Sequence, residues 1–293
     1  MKNIVKLLSL FFILVTLGTA CEKHVVEYDS YNLPTNAAEF QLHYFVPVVS
    51  GAANNITRVE INDKLNANNT TALTTYNALP SGTAGLFFTA PSGVTNIKLY
   101  KGTTTEKVYD QNVTLQPGKQ NVFVHDFNKP PVVIDNGYPY DRVITDSTGE
   151  FTWIKFYNFL YESPDVTTPL KLQYQYQYNM DPGPTTTHSN QKSDWINLGN
   201  PVSFGEATGW VQVPVIKHAD REISGGSERI DYRIRVIGEN GQDMGNLQVQ
   251  NSAGKMVDYA DFWNGTIGRR AHHIFAGYRT AAPISSVRQF FAL

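Results

Sequence analysis

One cysteine, Cys21, is all that this chain of 293 residues contains. An intramolecular disulfide is therefore excluded, and the fold must hold by its cores alone. Charge is also scarce: 17% of residues are Asp, Glu, Lys or Arg, and 24 basic side chains face 26 acidic ones. No basic block occurs, which argues against a nucleic-acid partner. The longest apolar run, Leu7 to Leu17, falls short of the roughly 20 residues that a spanning helix needs. Gly-x-Ser-x-Gly, a glycine loop for phosphate and His-Glu-x-x-His are all missing. What the chain does have is aromatic area: Phe, Tyr and Trp make up 12%. That is enough apolar surface for real cores and unlike a disordered chain. The length suggests about two domains.

The lone cysteine has a telling position. Lys2 and Lys6 precede the apolar run, and Gly18-Thr19-Ala20 lead from it into Cys21. Basic, apolar and small segments in that order make a secretory signal peptide. Its end resembles a bacterial lipobox, in which the cysteine thiol is acylated and cleavage falls just before it. The resemblance implies lipidation of Cys21 and membrane attachment through the N-terminal lipid. Leu17 stands one place further from the cysteine than the usual leucine, and ordinary cleavage after Ala20 is the alternative. Acylation would explain an unpaired cysteine in an exported chain, and two or more acyl chains give stable anchoring. Removal of residues 1–20 leaves 22 basic against 26 acidic side chains, a formal charge of −4.

From Ala38 the apolar period is two. "FQLHYFVPV", "TRVEIN", "NIKLYKG", "EKVYDQNVTL" and "QNVFVHDF" read as short strands. Gln116-Pro117-Gly118-Lys119 reads as a type II turn between the last two. "NKPPVVIDNGYPYDRVITDSTG" then breaks the pattern with prolines, glycines and acids. Strands resume with "FTWIKFYNFL", "LKLQYQYQY", "GWVQVPVI" and "ERIDYRIRVIG", and close with "AHHIFAGY". In the second of these, Leu172, Tyr174, Tyr176 and Tyr178 share one face. In the fourth, Asp231, Arg233 and Arg235 point the other way from Ile230, Tyr232 and Ile234. The expected fold is all-β, with two tandem Ig-like or Greek-key β-sandwich domains after a lipoprotein signal peptide. The boundaries are 1–20 for the signal, 21–37 for a lipid-anchored tether, 38–127 for the first domain, 128–149 for a linker and 150–293 for the second. Both halves open on a long aromatic strand and end on an apolar strand with His and Phe, a weak internal duplication.

"VYDQNVTLQPGKQNVFVHD" and "IKFYNFLYESPDVTTPLKLQYQY" resemble the two halves of the domain-of-unknown-function family 4397. That family consists of Ig-like sandwich repeats of bacterial envelope proteins, and with the lipobox it implies a Bacteroidetes surface lipoprotein. It lends no catalytic residue.

Candidate chemistry is thin. His272 and His273 are adjacent on a strand and point to opposite faces, so they cannot share one metal ion. Asp258 and Asp261 could form a glycosidase-like pair but fit a solvated loop better. Trp195 in "HSNQKSDWINLGNP" and Tyr259, Phe262 and Trp263 in "DYADFWNGTIG" are aromatic residues in polar, loop-like surroundings, where rings stack on sugars or anchor partners. The second stretch reads as an insertion that the first half lacks. Asp146-Ser147-Thr148 resembles the O-glycosylation motif of Bacteroidetes exported proteins, with Ser147 as acceptor. The sequence thus points to a non-catalytic outer-membrane lipoprotein, on the periplasmic face or cell surface, without a cofactor. It would bind or adhere to a glycan or an envelope protein. A pilus or surface-assembly subunit is the alternative, and an enzyme comes third.

Overall fold

The computed structural model describes residues 34–67, 76–79, 87–102, 106–137, 151–181, 191–216 and 227–292. Cys21 and Ser147 lie outside these residues. The first half forms β1 (Ala37–Tyr44), β2 (Ile56–Ile61), β3 (Lys64–Ala67), β4 (Asn77–Leu79), β5 (Phe88–Pro91), β6 (Gly93–Lys101), β7 (Glu106–Leu115), β8 (Gly118–Val124) and β9 (Val132–Asp135). The second half begins with β10 (Phe151–Ser163), β11 (Val166–Thr167), β12 (Lys171–Tyr178), β13 (Ile196–Asn197), β14 (Val211–Pro214) and β15 (Ser227–Ile237). It ends with β16 (Asp243–Asn246), β17 (Gln248–Gln250), β18 (Met256–Asp258), β19 (Ala260–Thr266), β20 (Arg270–Tyr278) and β21 (Ser286–Phe291). The single helical turn among the described residues is Ala52–Asn54.

These strands build sandwiches. An outer sheet β3-β2-β6-β7 packs on an inner sheet β4-β1-β8-β9, whose β1 also carries β5. A second inner sheet, β11-β10-β20-β21 with β14 on β10, packs on a second outer sheet, β13-β12-β15-β16 with β19 on β15. Alternation explains the assignment. Leu42, Tyr44, Val122 and Val124 turn toward Ile97, Leu99 and Tyr109 in the first core, while Ile154, Phe156 and Phe275 meet Tyr174, Ile230 and Ile234 in the second. Gly118 opens β8 at φ +96°, the left-handed backbone that the Pro117-Gly118 turn requires.

The duplication is topological. β1 runs parallel to β8 and carries β5 and β4 antiparallel on its other edge; β10 runs parallel to β20 and carries β14 and β11 likewise. β9 then continues from β8 as β21 does from β20.

The alternate residues of the inner strands are buried as well. Phe45, Phe123, Tyr157, Phe159, Ile274 and Phe290 form a third core that joins the two inner sheets. Phe123 stacks on His43 at 4.5 Å and lies 4.6 Å from Phe159. Within it runs a polar chain: His43 Nε2 to Asn121 Oδ1 at 3.1 Å, Asn121 Nδ2 to Asn136 Oδ1 at 3.2 Å, and Tyr157 OH to His272 Nδ1 at 2.8 Å. The stretch read as a linker is thus partly built in. β9 falls inside 128–149, and Lys155 donates its ammonium to the Asp135 carbonyl at 2.6 Å. Thr35 to Leu293 form one compact unit.

Candidate functional site

The functional candidate is the solvent side of the second outer sheet. Its strands turn Tyr174, Tyr176, Ile230, Tyr232 and Ile234 inward, so the intervening residues must face water. Register then sets the rows. Gln175 lies opposite Arg233, and Arg233 opposite Ala260. One step along, Gln177 lies opposite Asp231, and Asp231 opposite Phe262. Asn197 extends the first row beside Gln175, with its Oδ1 2.8 Å from the Gln175 amide nitrogen.

Two guanidinium–ring pairs stand on this face. Arg229 lies 4.0 Å from the centroid of Phe262, and Arg233 lies 4.3 Å from that of Trp195. Phe262 is 47% exposed. Around them runs a network of paired charges. Arg229 Nε donates to Asp231 at 2.8 Å, and Lys192 pairs with the same carboxylate. Arg235 donates to both oxygens of Asp243 and, at 2.7 Å, to Asn246 Oδ1. These cations hold Asp231 and Asp243 below the usual carboxylate range, for Asp231 against a burial effect that acts upward. Rings flanked by fixed hydrogen-bonding groups can stack and orient a flat, hydroxyl-rich ligand.

The four loop aromatics therefore divide. Phe262 and Trp195 share the solvent side. Tyr259 and Trp263 do not: they are 8% and 6% exposed and belong to the second core. The reason is that "DYADFWNG" is not a loop. Ala260 to Thr266 form β19, paired with β15, so Trp263 opposes Ile230 and points inward. Nor is it an insertion, because β19 flanks β15 as β7 flanks β6 in the first half. Trp263 Nε1 donates to Tyr174 OH at 3.0 Å, and Tyr259 OH accepts from the Val287 amide at 2.8 Å.

His272 and His273 do face opposite ways. His272 meets Tyr157 in the third core, and His273 Nδ1 lies 3.1 Å from Tyr174 OH in the second. Among the described residues no group of three or more His, Cys, Asp or Glu is placed to hold a metal ion. Asp258 accepts from Asn246 and Gln248, and Asp261 from the Phe262 amide. A hollow of about 470 Å³ is lined by Gly199–Val202, Glu206–Gly209 and Val211, with Glu206 its one ionisable group. A smaller one, about 190 Å³, is lined in part by the buried His125, whose Nδ1 is occupied by Tyr161 OH at 2.7 Å.

Arg229, Arg233 and Gln175 were not among the sequence candidates. The signal for them was the outward half of the alternation in "LKLQYQYQY" and "ERIDYRIRV", which carries amides and guanidinium groups.

No family model matches the chain, so the resemblance to family 4397 is not supported. No curated protein matches it. Among solved structures, the chain is similar to a DUF3823 family protein from Bacteroides ovatus ATCC 8483, with 11% identity and a TM-score of 0.19. That alignment covers 71% of this chain and 93% of the other.

Proposed function

We propose that this protein is a non-catalytic binding module of the bacterial envelope, held to the outer membrane through Cys21, that binds polysaccharide on the solvent side of the second outer sheet. One observation carries the reading: Phe262 on β19 and Trp195 just ahead of β13, separated by 67 positions in sequence, are brought to one polar face and each is braced by an arginine. A protein partner would favour a dry apolar centre within an interface of about 1,200–2,000 Å². This face offers amides and ion pairs around isolated rings instead, which suits sugar hydroxyls and the apolar faces of pyranose rings.

Affinity electrophoresis through gels that contain single polysaccharides tests it. Phe262→Ala and Trp195→Ala are each expected to weaken binding by about 5- to 150-fold, the range for one anchoring ring. Phe262→Ala should change stability by under about 1 kcal/mol, since half of the ring already meets water. Unchanged retention in both variants, or no retention of the wild type by any gel, would refute the proposal. Anchoring has its own test. Cys21→Ala should move the chain from the membrane fraction to the soluble one, and mass spectrometry should find acyl chains on Cys21 of the native protein. A mature chain with a bare thiol at Cys21 would overturn this part.

A further inference from the structure

We infer that the same face selects glycans that carry a carboxylate, with Arg233 as the anion contact. The inference rests on the polysaccharide reading above and adds a ligand class to it.

Arg233 differs from the other arginines of the face. Arg229 and Lys192 share Asp231 as ion-pair partner, and Arg235 pairs with Asp243. Arg233 forms no ion pair with any described residue. Its guanidinium is nevertheless fixed. Nε donates to Gln175 Oε1 at 2.8 Å, and the plane rests 4.3 Å from the centroid of Trp195. Gln175 is itself held by Asn197 at 2.8 Å. That leaves Nη1 and Nη2 without a hydrogen-bond partner among the described residues, on a side chain that is only partly buried. The two N–H groups form the fork that a carboxylate fills with two parallel hydrogen bonds. The side chain's conformational freedom has already been restricted by Trp195 and Gln175, so little more is lost on binding. Partial burial and the nearby charge of Arg235 disfavour the cation here and Asp243 opposes them; an arriving carboxylate adds a second, closer negative charge.

The surroundings fit a sugar acid rather than a free anion. Ala260, the smallest side chain of its row, lies beside Arg233 and leaves the approach open. Phe262 stands one row along, roughly 7 Å away by strand geometry, about the width of one pyranose ring. A uronate that places its carboxylate on Arg233 can therefore set a neighbouring ring against Phe262. The net charge of the chain is negative, so general attraction of acidic polymers does not favour this result.

The test uses the full-length chain with polygalacturonate, alginate and hyaluronate, each beside its carboxyl-reduced form. At least one acidic polymer is expected to bind, with its reduced form weaker by about 10-fold or more, the usual worth of hydrogen bonds to a charged group. Arg233→Gln should remove the difference between the two forms. Arg233→Lys, which keeps the charge and loses the fork, should restore only part of it. Equal binding of acidic and reduced forms, or a preference that survives in Arg233→Gln, overturns carboxylate selection. If those reduced forms still lose affinity in Phe262→Ala, the binding module stands and only its selectivity is refuted. If no polymer in either form binds, carboxylate selection is overturned, and the binding module falls only if the gels of other polysaccharides also fail to retain the wild type. A melting temperature for each variant guards against misfolding, and the conservative Arg233→Lys carries the comparison should Arg233→Gln not fold.

Discussion

Trp263→Ala is expected to lower the free energy of unfolding by about 3–5 kcal/mol, the cost of deleting a large buried aromatic. For a unit of this size that is a fall in Tm of on the order of 10 °C. Three contacts go together. The ring sits edge-on to His273, with centroids 5.0 Å apart. Its Nε1 donates to Tyr174 OH, a fully buried hydroxyl. It also lies over Gly265, where an added Cβ would fall 2.7 Å from Trp263 Cζ3 and 2.6 Å from Ile230 Cδ1. Glycine there is what lets the indole lie flat in the core, and no smaller residue fills the space the indole leaves. Trp263→Phe should cost less, because it keeps much of the area and loses mainly the hydrogen bond, about 1 kcal/mol. Urea melts of both variants beside Phe262→Ala decide the matter. A Trp263→Ala protein as stable as wild type, with reduced glycan binding, would return this ring to the surface.

The contrast between Trp263 and Phe262 also shows what was legible in the sequence. "DYADFWNG" carries two aspartates, an asparagine and a glycine, so its composition reads as a loop. Its period reads otherwise: Tyr259, Trp263 and Gly265 fall on one parity, Ala260, Phe262 and Asn264 on the other. Parity, with the strand pairing, separates core from face where composition cannot. The outer strands were readable because one face of each meets water, which forces polar residues into alternation. The inner strands were harder. "FTWIKFYNFL" and "AHHIFAGY" are buried on both sides, so the alternation fades and nothing local announces a third core. That core depends on Phe45, Phe123, Tyr157 and Phe290, which are far apart in sequence and meet only when the two inner sheets face each other. The pairing of Arg233 with Trp195 was hidden for the same reason, since it depends on register between strands.

Acid is expected to unfold this protein through its histidines before most carboxylates titrate. His43, His272 and His273 are fully buried, and burial drives all three toward the neutral form. His43 is lowered from 6.5 to about 4, where burial outweighs the opposing hydrogen bond to Asn121; His273 is lowered to about 3 by burial. For His272 the charges of His43, Lys155 and His273 add to burial in the same direction. Geometry gives the reason. Asn121 occupies Nε2 of His43, Tyr157 occupies Nδ1 of His272, and Tyr174 occupies Nδ1 of His273. The second nitrogen of each has no partner among the described residues, so an added proton would be buried without an acceptor. Aromatic rings fill the remaining contacts: Phe45, Phe123 and Phe290 around His43, and Tyr232 and Trp263 around His273. The unfolded chain takes up these protons near pH 6.5 and the folded chain does not. Stability is therefore complete above pH 6.5 and falls as pH drops toward the folded values near 3–4. At about 1.4 kcal/mol for each pH unit between the two values, His43 alone contributes roughly 3 kcal/mol, and His273 more. Urea titrations at pH 7.5, 6.0, 5.0 and 4.5 should show a progressive loss of several kcal/mol. His43→Gln, which keeps a donor to Asn121 and cannot take a proton, should have a shallower slope over the same range. A stability that stays flat from pH 7.5 to 4.5, or an unchanged slope in His43→Gln, would mean that these rings do not resist protonation in the folded chain.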